Sequence, residues 1–262
     1  MEIDRRAFLA TLGSVAAIEA MDSEAKAEAL EHYMMHKLDA EAPSPPSAPD
    51  PWRRGTGSLF TPHRDESGET KLAELAPMPE KPTLVDFYNL RFAPANHVLQ
   101  SATRAMKTGM SEEIILACLL HDVVLNLIKV DHGWWGAQML EPYVSEKVSW
   151  AIRYHQALRF YPDPSVGYEY PEQYVRIFGK DYVPLPHIKA AYDFARNHKW
   201  YMEARLITVN DLYSFDPNAK VALEPFLDII GRHFKQPKEG LGFDNSPVAH
   251  MWRTMIYPNN PL

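Results

Sequence analysis

From Thr83 to about Phe234 the apolar residues recur at helical spacing, and alternating strand patterns are scarce. Ser111-Glu112-Glu113 stands ahead of the apolar run Ile114 to Leu120. That is an N-cap followed by acids in the first turn, where they complement the helix dipole. Ser145-Glu146 repeats the device ahead of Val148, Ile152 and His155, whose spacing of four then three forms one apolar stripe. A helix starting near Pro94 carries His97. Others are expected around His187 to His198, Tyr201 to Tyr213 and Ala219 to His233. Between Pro162 and Pro186 lies a long loop rich in Pro, Gly and Tyr, of the kind that covers substrates. The pattern predicts an all-α fold.

The organisation has three parts. Residues 1–40 form a leader-like or amphipathic helical segment, residues 41–82 a Pro-rich linker or wrapping arm, and residues 83–262 the main domain with a C-terminal helix and tail. The start, Asp4-Arg5-Arg6-Ala7-Phe8-Leu9, resembles a twin-arginine export signal: paired Arg, then an apolar stretch to Ile18. Export to the periplasm is one expectation. The other is a cytoplasmic protein whose Phe8, Leu12 and Val15 pack a helix on the body.

Composition narrows the function. Apolar residues make up 46% of 262, as in a globular protein with a buried core. The net charge is −7 and no stretch concentrates Lys and Arg, which argues against nucleic acid as a partner. No uncharged apolar stretch reaches the length of a membrane span. The one cysteine, Cys118, sits in an apolar run and reads as a buried small hydrophobe. Any metal must therefore be held by His and carboxylates.

Candidates for that role converge. His121-Asp122 closes an apolar helix instead of lying on a polar face, and a buried carboxylate beside a buried imidazole is costly without a metal or strong partner. His97 lies 24 residues earlier and His132 lies 11 later. His155 falls on its apolar stripe, and Asp211 shares one with Trp200, Ala204 and Ile207. Several imidazoles and two carboxylates in one core, with few cations to pair them, point to bound metal. Imidazole with carboxylate suits iron, manganese or zinc.

In this order the six residues resemble the HD-domain superfamily, whose pattern is H…HD…D on a helical bundle. The two extra histidines between the HD pair and the last Asp are similar to its two-metal branch. The resemblance covers roughly residues 85–235. It implies one metal on His97, His121 and Asp211, a second on His132 and His155, and Asp122 between them. Finer texture resembles the mixed-valent diiron oxygenases, both the phosphonate-cleaving and the myo-inositol oxygenase type. Examples are Asp131-His132 with Gly136-Ala137, Ile152-Arg153-Tyr154-His155, and Asn210-Asp211-Leu212-Tyr213-Ser214. The implied function is a diiron oxygenase acting with O₂ on a small hydroxylated substrate. The alternative is a phosphohydrolase using Mn, Zn or Mg in the same ligands. A degenerate binding module is disfavoured because no ligand is missing.

Departures bear on the substrate. Arg159 stands four residues after His155, where the phosphonate-cleaving members carry a basic side chain, and is the candidate substrate contact. The alternative for Arg159 is a surface ion pair with an acid such as Asp163. Leu125, Thr208 and Val124 replace other basic positions of the family, so most of its anion clamp is absent and a less charged substrate is implied. Trp134, Trp135, Trp150 and Trp200 are expected to pack, as are Tyr154 and Tyr161. His187 and His198 are expected on helix surfaces, His32, His36 and His63 outside the core, and Lys129 in solvent.

Overall fold

A computed structural model describes residues 63–64, 70–71, 75–92, 95–125, 127–128, 131–171, 175, 179–216 and 218–258. The leader-like segment, His32, His36 and Lys129 lie outside the described residues. The nine helices among them are α1 (Leu84–Leu90), α2 (Ala95–Lys107), α3 (Glu112–Leu120), α4 (His132–Leu140), α5 (Glu146–Leu158), α6 (Pro186–Arg196), α7 (Tyr201–Leu212), α8 (Leu227–His233) and α9 (Ala249–Ile256). Two-residue strands, β1 (His63–Arg64) and β2 (Thr70–Lys71), pair antiparallel. The fold is all-α, as the apolar periodicity predicts.

Local chemistry sets the helix starts. Thr83 and Asp86 form a reciprocal capping box on α1. Ser111 and Ser145 accept from the backbone N–H groups of Ile114 and Val148, capping α3 and α5. Every residue from Ile114 to Leu120 is buried, so α3 is a central helix enclosed on all sides. It packs against α2, α5, α7 and α8, while α5 also meets α4, α6 and α7. The ends of α3 and α5 and the starts of α2 and α4 thereby come together in the interior.

The C-terminal segment closes the bundle. Leu241 donates its N–H to the Pro82 carbonyl at 2.8 Å, and the Gln236 side chain accepts from Leu84 N at 3.0 Å. Gly240 has φ +96°, and a Cβ there would stand 2.8 Å from Lys81 Cα and Pro82, so the close crossing requires glycine. Buried Arg91 donates to the Ile256 carbonyl, and buried Trp252 packs edge-on against Phe87.

Three expectations are corrected. Helix α8 starts at Leu227, after the short 3₁₀ turn Glu224–Phe226, because Pro225 lacks the N–H that a helix from Ala219 would need. Trp134 and Trp135 are each 44% exposed; flanking Gly133 and Gly136 turn the slim face of α4 inward and the indoles outward. His198 lies beyond the end of α6, half-buried and stacked on Trp150 at 4.2 Å.

Candidate metal centre

The six residues singled out in the sequence meet in the core. His97 stands in the first turn of α2, His121 at the C-cap of α3 with Asp122 next, His132 at the start of α4, His155 on α5 and Asp211 near the end of α7. All six are buried.

Backbone carbonyls fix the rings. His97 Nδ1 lies 3.0 Å from the Ser214 carbonyl, His121 Nδ1 2.9 Å from that of Cys118, and His155 Nδ1 2.6 Å from that of Ile152. A carbonyl only accepts, so each Nδ1 carries the proton and each Nε2 presents a lone pair inward. Yet His97 Nε2 and His121 Nε2 are 3.3 Å apart, as are His132 Nε2 and His155 Nε2. In the His97–His121 couple both lone pairs face at that distance and repel unless a cation sits between them.

The carboxylates complete two adjoining groups. Asp122 Oδ2 lies 3.5 Å from His97 Nε2 and 3.4 Å from His121 Nε2, while its Oδ1 lies 3.2 Å from His132 Nε2. Asp211 Oδ1 lies 2.9 Å from His97 Nε2 and 3.7 Å from His121 Nε2. Both Asp122 oxygens and Asp211 Oδ1 are buried without a hydrogen-bond partner. Such orphaned acceptors are costly in a dry core unless a cation meets them. Two triads, His97–His121–Asp211 and His121–Asp122–His155, bring their ligand atoms within 4.8 Å of one another and could each hold a metal ion. His121 belongs to both, so the groups form one continuous cluster.

Electrostatics keeps both carboxylates and His155 in metal-binding form; burial lowers His121, but Asp122 and Asp211 outweigh it and raise it. Burial raises the Asp122 carboxyl, but His121 and His132 outweigh it and hold it below the usual range. Burial likewise opposes Asp211, and His121, His97 and Arg159 hold it well below that range. His155 is pushed down to about 3 by burial, then by His121 and His132, and stays neutral.

Around the cluster lie residues that the sequence reading missed. Gly133 lets α4 approach α5: a Cβ there would fall 2.8 Å from the Ile152 carbonyl oxygen and 3.0 Å from His155 Cε1. Gly133 N–H donates to Gln156 Oε1 at 2.8 Å. Phe215 stacks on His97 at 4.4 Å, and Thr208 donates to the His155 carbonyl. A glycine directly after His132 was the one visible signal; the others need the fold. Cys118 is buried, its thiol pushed up to about 12 by burial, which leaves it inert.

Arg159 is 2% exposed, and its Nη2 lies 3.4 Å from Asp211 Oδ2. The surface pair with Asp163 does not form; Asp163 accepts from Tyr201 and lies 3.7 Å from Arg205. Tyr168 donates to the Arg159 carbonyl at 2.7 Å and lies under the Arg205 guanidinium. Arg159 also lines a cavity of about 120 Å³ between the start of α4, the end of α5 and the start of α6. Tyr154 stands on the same wall, whereas Tyr161 stacks on Tyr192 outside it.

Over 78 residues the chain is 35% identical to a [1-hydroxy-2-(trimethylamino)ethyl]phosphonate dioxygenase (glycine-betaine-forming) of Leisingera caerulea. The match spans 26% of this chain and 40% of that protein. No family model matches the chain. Among the described residues no helix is long and apolar enough to cross a membrane.

Proposed function

We propose that this chain is a non-haem diiron oxygenase of the HD-domain type, acting with O₂ on a small hydroxylated molecule. The observation that carries the reading is the pair of facing imidazole couples, 3.3 Å apart within each couple, with one buried carboxylate between them. His97, His121 and Asp211 would hold one iron, His132 and His155 the other, with Asp122 available to both. The similarity to a dioxygenase of a hydroxylated phosphonate supports oxygen chemistry over hydrolysis.

When bound, the iron pair supplies the electrons and the open positions that oxygen chemistry requires. The chain's own residues do the rest. Carbonyls of Ser214, Cys118 and Ile152 lock three imidazoles in one tautomer. The buried shell excludes water and preserves the electrostatic field of the donors. Arg159 presents a permanent positive charge at the cavity wall, where it orients substrate.

The test is metal analysis of protein produced with iron, followed by absorption spectroscopy and oxygen uptake. Two irons per chain with visible absorption are expected. A colourless zinc, manganese or magnesium protein that releases phosphate from esters would replace the oxygenase with a phosphohydrolase.

A further inference from the structure

The cavity beside the cluster has a definite chemistry. Its lining includes Arg159 and Gln156 on the inner side and Trp134, Arg153, Tyr154 and Phe160 around them. Gln156 contacts Gly133, next to His132, and Arg159 contacts Asp211. The cavity therefore adjoins the cluster through these two side chains. Benzene fills an apolar cavity of about 150 Å³. The 120 Å³ here suit a molecule of similar or smaller size, with room to extend through the opening.

Charge selects among such molecules. Arg159 is already partnered by Asp211. Arg153 stands on the same helix, half-buried, with its guanidinium 5.9 Å from the centre of the Trp134 ring. Among the described residues no carboxylate pairs with it. A guanidinium beside an indole and without an acid is a receptor for an anionic head on an apolar body. Asp131, also on the wall and exposed, opposes a second negative charge.

We infer that this cavity binds a small monocarboxylate bearing a hydroxyl group, with Arg153 taking the carboxylate and Trp134 the carbon body. The inference rests on the reading of the cluster as a metal centre, because it identifies the substrate class of that centre. It differs from a phosphonate clamp in needing one negative charge and one unpartnered cation.

Calorimetric titration of the full-length protein as purified tests it, with metal content measured on the same sample. The probes are 2-hydroxybutyrate, its neutral analogue 1,2-butanediol, and inorganic phosphate. The acid is expected to bind at least tenfold more tightly than either comparator. Arg153→Gln should weaken the acid at least tenfold with metals per chain unchanged, and Arg153→Lys should recover part of the loss. Equal affinity for the diol, tighter binding of phosphate, or an Arg153→Gln protein within twofold of the parent would overturn the inference. A protein that holds two metals but ignores the acid fails this inference and keeps the metal centre. One that binds the acid through Arg153 without metal keeps the anion site and loses the centre.

Discussion

Asp122 offers one oxygen toward the His97–His121 couple and the other toward His132. Asp211 reaches the first couple alone, its second oxygen taken by Arg159. The two carboxylates should therefore fail differently. Asp122→Ala is expected to lose both metals, whereas Asp211→Ala should retain roughly one per chain. Elemental analysis after desalting decides; two metals in Asp122→Ala would end the bridging assignment. At this scale much was legible. His155 shares a stripe with Val148 and Ile152, and Asp211 one with Ala204 and Ile207, so each declared itself as an inward-facing polar residue. The partner of Arg159 did not, because Asp211 lies 52 residues away and no local pattern records that contact. Nor did the exposure of Trp134 and Trp135, since bulk alone predicts burial and only the α4–α5 approach turns them out.

Helices meet here at distances set by single residues. α4 comes onto α5 through Gly133, and that approach brings His132 Nε2 within 3.3 Å of His155 Nε2. In an isolated helix Gly→Ala would gain about 1 kcal/mol. At Gly133 the added methyl strikes backbone, and overpacking of that kind costs about 1–3 kcal/mol. Gly133→Ala should thus lower the melting temperature and cost the metal proposed for His132 and His155 while sparing the other. Unchanged metal content would show that α4 can shift without opening the cluster. Among elements, the capped starts of α3 and α5 were readable from Ser111 and Ser145. The last helix expected from the sequence ends at His233, and α9 falls in the expected tail, although Ala249, Trp252 and Ile256 recur on one buried side. It stands apart behind a stretch of Gly, Pro and charge that resembles a tail.

Acid stability belongs to the molecule as a whole. Unfolded, His155 takes up its proton near the ordinary value of 6.5; folded, it does so only at about 3. Between those values the unfolded chain binds more protons, so this residue's contribution is full above 6.5 and is lost as the pH falls toward 3. Asp122 and Asp211, both held low, add losses of the same sign at more acidic pH. His121, shifted upward, acts oppositely: its contribution is present in acid and lost as the pH rises. Urea unfolding of metal-free parent and His155→Gln at pH 7 and near 4.5 separates the terms. The parent should lose on the order of 2 kcal/mol more than the variant across that interval. Equal losses would remove His155 from the account.

The crossing of Leu241 over Pro82 also bears on the order in which the protein is made. Gln236 bonds to Leu84 across 152 residues of chain, and Arg91 to Ile256 across 165. Contacts of such sequence separation form late, because the intervening chain must be ordered first. A chain leaving the ribosome exposes His97 through Asp211 well before Gln236 and Ile256 exist. The cluster can therefore gather while α1 still waits for its closing partner. The six donors and the residues of the closing seam thus become available to the folding chain at different times during synthesis.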